Sequence, residues 1–191
     1  ISLYTVSITV ILGIIAGPVA VGYYTAADKI RQAVQGVIAP VSQAIYPRIN
    51  ALMAKDKLMA FSTIRKLLLI QGCGTFILSL LLFIFSESII LLAFDSTYIK
   101  SITVLKWLAW LPFVVGLSNV FGIQTLLVLG LNKIFSRILI VSGVFSLLLI
   151  FPLGFVFAQD GAAIATFITE LTVTCLMLLI IIKREIPIFR K

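Results

Sequence analysis

Histidine is absent from this sequence of 191 residues, and only seven of its residues are acidic. Without histidine the chain lacks a common metal ligand and the usual general base, so we expect no metal site, no cofactor and no catalytic centre. Its two cysteines, Cys73 and Cys175, lie far apart in apolar runs, which predicts buried free thiols and excludes a disulfide scaffold. No glycine-rich phosphate-binding motif occurs, which argues against a nucleotide-driven motor on this chain.

Charge is also scarce, because only 12% of the residues are charged while 61% are hydrophobic, with a mean hydropathy of +1.21. A soluble domain carries about 25% charged and about 45–50% apolar residues. This balance excludes a soluble enzyme domain and a disordered tail, and it indicates an integral membrane protein. The net charge of +8 predicts basic cytoplasmic loops rather than a nucleic-acid partner.

The long apolar runs predict an all-α integral membrane fold, a bundle of six transmembrane helices formed by residues 1–191 as one unit. A bilayer core of about 30 Å requires roughly 20 apolar residues of helix. Runs that meet or approach this length lie at about 1–21, 26–49, 67–85, 102–130, 138–158 and 161–182. The second is much more polar than the others, and the alternative for it is an amphipathic helix lying flat on the membrane.

The placement of basic residues favours six crossings with a cytoplasmic C-terminus. That topology puts four basic residues outside, namely Lys29, Arg31, Lys100 and Lys106. It puts the other eleven inside, namely Arg48, Lys55, Lys57, Arg65, Lys66, Lys133, Arg137, Lys183, Arg184, Arg190 and Lys191. Such an excess inside is what the positive-inside rule predicts. The chain opens at Ile1 within an apolar run, so we expect a piece of a longer protein.

The second span carries a stripe of polar residues at helical spacing, with Arg31 on its shoulder and Lys29 beside it: Asp28, Gln32, Gln35, Ser42 and Tyr46. Polar groups are costly in a membrane, so such a stripe is expected to face a water-filled cavity or the bundle interior. Gly36 and Pro40 predict a kink within the stripe that could act as a gate. The alternative is that Asp28 pairs with Arg31 or Lys29 at headgroup level, which does not account for the deeper polar residues.

Later spans add fewer polar residues. Glu170 lies near the middle of the last span with Thr166 and Thr174 one turn away on either side. It is a candidate for ion coupling, for pairing with a cation in the cavity, or for a structural ion pair with Arg31 or Lys106. In the fourth span, Trp107 and Trp110 are typical of an interfacial aromatic belt, with stacking on sugar rings as the alternative. Asn119 and Gln124 are typical of hydrogen bonds between helices.

The order of these motifs resembles that of bacterial polysaccharide and O-antigen flippases (Wzx-type), within the multidrug/oligosaccharidyl-lipid/polysaccharide superfamily. The stretch 23–31 (YYTAADKIR), followed by Gly36, Ala39-Pro40 and Tyr46-Pro47-Arg48, resembles the region of their seventh and eighth helices. Residues 161–166 (GAAIAT) with Glu170 resemble the motif that opens their last helix, and 130–133 (GLNK) resemble a cytoplasmic loop. The similarity covers nearly the whole chain, although the second motif is shared with multidrug extruders.

This resemblance implies the C-terminal half of a MATE-like twelve-helix transporter whose N-terminal half is missing. Such proteins move undecaprenyl-pyrophosphate-linked repeat units from the cytoplasmic to the periplasmic leaflet of the bacterial inner membrane, by alternating access coupled to an ion, H⁺ or Na⁺. The implied partners are the lipid-linked oligosaccharide, the coupling ion, membrane lipid, the N-terminal half, a polysaccharide polymerase and a chain-length regulator.

The resemblance also suggests a role for each polar residue of the second span. Lys29 and Arg31 would meet the anionic substrate, Gln32, Gln35, Ser42 and Tyr46 would line its path, and Asp28 and Glu170 would couple the ion. Two alternatives remain open. A cation-coupled drug extruder would favour a net acidic cavity, and a membrane-embedded polysaccharide-assembly enzyme would need a sizeable loop with catalytic groups. We therefore expect a transporter and not an enzyme.

Overall fold

The computed structural model describes residues 2–188, with side chains from residue 7 onward except at residue 39. Nearly all of these residues are helical, and no strand occurs between residues 2 and 188. The helices are α1 (Ser2–Lys55), α2 (Lys57–Ile84), α3 (Ser86–Phe94), α4 (Ser101–Leu108), α5 (Leu111–Phe121) and α6 (Asn132–Lys183), with a 3-10 turn at Ser96–Tyr98 and a π-helix at Gly122–Leu127. The predicted all-α fold is confirmed.

Helix α6 folds back on itself at Ala158, where φ is 47° and ψ is −121°. A Cβ atom built on Gly161 would lie 1.9 Å from the carbonyl oxygen of Leu153, although a straight helix would separate these residues by about 12 Å. Since these two positions are neighbours in space, α6 is a hairpin of two arms, α6a (132–157) and α6b (159–183).

Helix α1 turns back in a similar way at Gly17, where φ is 82° and ψ is 174°. A Cβ atom on Gly13 would lie 3.5 Å from Cγ2 of Val21, again across eight residues of sequence. Glycine tolerates this positive φ, and Pro18 suits the first position of the next helix because its φ is already fixed. The arms are α1a (2–16) and α1b (18–55), and α1b is about 57 Å long at 1.5 Å per residue.

Among the described residues, four helical stretches are long and apolar enough to cross a membrane, and two of them contain the turns at Gly17 and Ala158: Ser7–Lys55, Lys57–Ile84, Ser101–Leu127 and Asn132–Lys183. This count differs from the predicted six because the breaks at Gly17 and Ala158 each occupy a single residue and need no loop. When the two arms of α1 and of α6 are counted separately, the described chain contains six long helical segments, which we call rods. They are α1a, α1b, α2, Ser101–Leu127, α6a and α6b. Residues 51–66, which lie between the predicted spans 26–49 and 67–85, are also nearly all helical, with Asp56 between α1 and α2 and its side chain accepting from Met59 N.

Two apolar clusters lie at opposite ends of the rods, and the rods alternate in direction between them. Cluster A includes Ile8, Tyr24, Leu82, Leu105, Ile150 and Ala163. Cluster B includes Ile49, Ile64, Val120, Ile138 and Met177. The rods α1b, Ser101–Leu127 and α6b therefore run from cluster A to cluster B, while α2 and α6a run the opposite way.

Most of the exposed basic residues lie at the cluster B end, whereas Lys29, Lys100 and Lys106 are exposed toward the cluster A end. Those that flank the helix junctions at the cluster B end are Lys55, Lys57, Lys66, Lys133, Arg137, Lys183 and Arg184. Arg190 and Lys191, which were expected on the same side, lie outside the described residues. The positive-inside rule predicts that the cluster B end is cytoplasmic.

One expectation about individual residues was wrong. Cys73 and Cys175 are free, as predicted, but both are exposed rather than buried. They lie on outward faces of α2 and α6b, where apolar surface is expected to meet lipid and a weakly polar thiol is tolerated. Gly36 and Pro40 lie within α1b with helical dihedral angles, since the non-helical angles within α1 occur at Gly17, and the kink expected there stays a prediction. A proline removes one backbone hydrogen bond, which a long membrane helix accommodates.

Candidate functional site: the polar residues of α1b and α6b

A hydrogen-bonded cluster of four side chains lies on α1b near cluster A. Asp28 accepts from Arg31 through a 2.6 Å bond between Nε and Oδ1, and from Gln32 through a 2.6 Å bond between Nε2 and Oδ2. The Arg31 Nη1 group donates to Oε1 of Gln35. Arg31 is 9% exposed, whereas Gln32 is exposed. The cluster therefore holds a mostly buried guanidinium in a fixed orientation, with an amide at its open edge.

The arrangement has features of both interpretations that the sequence left open for this segment, a polar stripe and an ion pair of Asp28. Asp28 forms an ion pair with Arg31, as the anchoring alternative expected. The pair also continues into Gln32 and Gln35, so the stripe is one connected network rather than an isolated pair. Lys29 is exposed and has no ion-pair partner among the residues that the structure describes. The four bonded side chains hold one carboxylate and one cation, and with the neighbouring Lys29 this part of α1b carries a net positive charge.

A hydrogen bond joins α1b to α6b directly beside this cluster. The hydroxyl groups of Tyr24 and Thr166 lie 3.1 Å apart, and both residues are buried. Since α1b and α6b run in the same direction, one further turn along each brings Asp28 and Glu170 to a similar depth. The structure thus brings the α1b cluster and the Glu170 region to one level of the bundle.

Glu170 lies 4% exposed in the bundle interior. It lines a small cavity of about 20 Å³ together with Ser118 and Asn119, with apolar walls from α6a and α6b. This volume suffices for one water molecule, which needs a space of at least about 10–15 Å³ with polar partners. Thr166 and Thr174 are buried one turn away on each side, as the spacing predicted, and each hydroxyl donates to the backbone carbonyl four residues earlier.

Ser42 and Tyr46 lie farther along α1b, toward cluster B. Ser42 is buried and donates to Oε1 of Gln71 at 3.1 Å, while its carbonyl accepts from Nε2 of Gln124 at 2.8 Å. Tyr46 is half-buried. Within this chain Ser42 therefore belongs to a packed contact, whereas the exposed polar residues between 28 and 46 are Lys29, Gln32 and Gln43.

Sequence reasoning missed the importance of Gln71, which is the central residue of a polar layer between clusters A and B. Its Nε2 donates to the carbonyl of Gly116 at 3.2 Å, so one side chain joins α1b, α2 and α5. A glutamine in the apolar stretch 67–85 was the available signal, because an isolated intramembrane amide usually bonds to another helix. The expected interhelical role of Gln124 is confirmed by its bond to Ser42.

We expect Gln71→Leu to lower the free energy of unfolding by about 1–2 kcal/mol, because it leaves the Ser42 hydroxyl and the Gly116 carbonyl without this partner. The matched control is Gln43→Leu, since Gln43 is exposed on α1b. Thermal unfolding in detergent measures both. Equal midpoints for the two variants would show that the polar layer contributes nothing to stability.

The comparisons with known proteins agree with the motifs of α1b and α6b. Residues 1–53 match the protein family described as "Polysaccharide biosynthesis protein". Over 181 residues, which are 95% of this chain, the sequence is 41% identical to a protein of Escherichia coli (strain K12) named "Putative O-antigen transporter". Over almost its whole length, the chain is therefore similar to this relative. A Shigella dysenteriae protein of the same name is 30% identical over 179 residues, or 93% of the chain.

The similarity to O-antigen transporters confirms the resemblance seen in the sequence, and together with the apolar helices it indicates a multi-pass bacterial membrane protein. The chain spans less than half of these relatives, because each alignment covers 44% of the relative's length. No solved structure matches the chain.

Proposed function

We propose that this chain is the C-terminal half of a flippase that moves lipid-linked oligosaccharide from the cytoplasmic to the periplasmic leaflet of the bacterial inner membrane. The observation that carries the proposal is the 41% identity to an O-antigen transporter across 95% of the chain. The proposed activity is transport, which involves no covalent chemistry. The N-terminal half of the same protein supplies the opposite wall of the path, and alternating access moves the two halves against each other.

The α1b cluster supports an anionic, hydroxyl-rich substrate. A pyrophosphate-linked saccharide requires cations on its path, and Lys29 is exposed beside the oriented guanidinium of Arg31. Guanidinium and ammonium groups form charge-assisted hydrogen bonds with phosphate oxygens. Gln32 offers a further amide at the exposed edge. The net positive charge of the cluster argues against a cation-coupled drug extruder, whose cavity would be acidic.

Complementation tests the transport proposal. The full-length parent protein is expressed in a bacterium that lacks its own O-antigen flippase and makes a matching repeat unit, and surface polysaccharide is measured. We expect surface polymer to return. Inserted, abundant protein without surface polymer, across several repeat units of different composition, would contradict the proposal.

Glu170 is our candidate for coupling the ion. It is buried at the depth of the α1b cluster and borders a cavity the size of one water molecule, with the hydroxyl of Ser118 and the amide of Asn119 as further polar groups. Ionisable side chains within membrane spans are rare and commonly mark ion or proton pathways. The coupling ion is H⁺ or Na⁺, and its binding at this level would be transmitted to α1b through the contact of Tyr24 with Thr166.

Glu170→Gln in the full-length protein should abolish or flatten the dependence of transport on external pH and on sodium, because the amide keeps the shape of the carboxyl but cannot ionise. Initial transport rates across a pH series, with and without sodium, measure this. Glu87→Gln is the control, since Glu87 is exposed on α3. An unchanged pH and sodium profile in Glu170→Gln would assign Glu170 to packing.

A further inference from the structure

An aromatic pocket with one cation lies between α2, the span Ser101–Leu127 and α6b. It has a volume of about 440 Å³ and is lined by Phe83, Thr103, Lys106, Trp107, Trp110 and Phe167. This volume falls in the range of small-molecule pockets, which combine apolar walls with a few polar groups. The pocket thus has the composition of a binding site for an amphiphile.

Ring contacts between helices form the walls of this pocket. The rings of Phe83 and Trp110 have centroids 5.7 Å apart and join α2 to the residue just before α5. The rings of Trp107 and Phe167 have centroids 6.3 Å apart and join α4 to α6b. Because three rods contribute to the rings, the pocket is held by the packing of the bundle itself.

Lys106 is the unusual member of the pocket, because it is the one charged residue in the span Ser101–Leu127. It is exposed, and no carboxylate lies within 4.0 Å of it among the described residues. An ammonium group within a membrane span is costly unless a counter-charge or water reaches it. Any counter-charge for Lys106 therefore comes from outside the described residues.

The position of the pocket indicates which molecule supplies that counter-charge. Ser101 donates to the carbonyl of Tyr23 and so faces α1b, whereas residues 103, 106, 107 and 110 point about half a turn away from it. Lys106 lies about 7.5 Å along the axis from Ser101, near the cluster A end. This depth suits a lysine that reaches toward the headgroups and tryptophans that lie at the membrane interface.

We propose that this pocket binds an anionic phospholipid of the leaflet at the cluster A end, with Lys106 at the lipid phosphate and the tryptophan and phenylalanine rings against its glycerol and upper acyl chains. Basic pockets between transmembrane helices recognise anionic headgroups in this way. The transported oligosaccharide is the weaker candidate for this pocket, because none of the α1b residues on its proposed path lines the pocket. The lipid would brace α2, α4 and α6b at the level of Tyr24 and Thr166.

Tryptophan quenching tests the proposal, because Trp107 and Trp110 are the two tryptophans of this chain. The full-length protein, with its other tryptophans replaced by phenylalanine, is placed in phosphatidylcholine vesicles. One vesicle preparation contains a small fraction of brominated phosphatidylglycerol, and a second contains the same fraction of brominated phosphatidylcholine. We expect the anionic quencher to be enriched at the tryptophans by roughly fivefold, the effect typical of one basic residue near a lipid surface.

Two variants of Lys106 test whether its charge, rather than the folding of the protein, causes the preference for the anionic lipid. Lys106→Gln should remove the preference for the anionic quencher, while Lys106→Arg should keep it. Lys100→Gln is the matched control and should also keep it, because Lys100 is exposed just before α4 and does not line the pocket. This readout does not depend on transport, so its outcome tests the lipid site separately from the flippase proposal.

Three results would overturn the inference. The first is equal quenching by both lipids in the unmodified protein. The second is a preference that survives in Lys106→Gln. The third is release of the brominated phosphatidylglycerol by a small proportion of lipid-linked oligosaccharide, which would assign the pocket to the transported molecule.

Discussion

Gly161→Ala is expected to open the α6 hairpin and lower the free energy of unfolding by about 3 kcal/mol, since overpacking against rigid neighbours has costs of this order. The added methyl carbon would lie 1.9 Å from the Leu153 carbonyl oxygen and 3.0 Å from the Gly154 nitrogen. Both are backbone atoms, so no side-chain rotation relieves the clash. The two arms must separate, and the contact of Tyr24 with Thr166 is displaced with them.

Gly143→Ala provides the control within the same helix. A Cβ atom there meets nothing within 4 Å, and alanine is favoured over glycine inside a helix by about 0.5–1 kcal/mol. Thermal unfolding in detergent and the yield of inserted protein measure both variants. If Gly161→Ala were as stable as Gly143→Ala, the close approach of α6a to α6b would be wrong, and so would the division of α6 into two rods.

Arg31→Gln should reduce surface polysaccharide by about tenfold or more in the complementation assay, because a hydrogen bond to a charged group contributes about 1.5–3 kcal/mol. The change removes a cation from the proposed substrate path and leaves Asp28 without its ion-pair partner. The net charge of the cluster of Asp28, Lys29 and Arg31 then falls to zero. Arg31→Lys should retain part of the activity, since lysine keeps the charge but loses the fork of N–H donors.

Lys100→Gln is the control for charge at the same end of the bundle, because Lys100 is exposed outside the α1b cluster. Immunoblotting of membranes corrects the polymer for the amount of inserted protein. Equal losses in Arg31→Gln and Lys100→Gln would mean that only the overall charge of this end matters, and the α1b cluster would have no special part in transport.

Much of the architecture could be predicted from apolar runs and basic residues. The alternation of helices and the gathering of Lys55, Lys133 and Lys183 at one end follow from hydropathy and charge alone. The predicted spans 138–158 and 161–182 place one turn where the structure has Ala158, whereas the turn at Gly17 precedes the predicted boundary at 21–26. What hydropathy could not predict is that each turn occupies a single residue. Ala158 adopts a positive φ that its residue type disfavours, so this tight conformation depends on the packing of α6a against α6b rather than on local preference.

The polar residues could be found from the sequence, but their partners could not. Helical spacing brought Asp28, Gln32 and Gln35 onto one face, and the structure joins them through Arg31. The same spacing could not show that Ser42 lies outside this network. Ser42 bonds instead to Gln71, twenty-nine residues away in the sequence. Periodicity identifies a face within one helix, whereas which neighbour covers that face depends on contacts distant in sequence. The substrate-path and ion-coupling roles remain predictions.

The most direct test of the flippase proposal uses purified full-length protein in sealed vesicles that carry lipid-linked oligosaccharide in both leaflets. An impermeant enzyme that trims the exposed sugar reports how much of the lipid becomes accessible over time. We predict that the protein, supplied with a proton or sodium gradient, makes nearly all of the sugar accessible, while protein-free vesicles stop at the fraction already outside. No increase above the protein-free level, in vesicles where the same protein transports a cationic dye, would contradict the flippase account and favour a drug extruder.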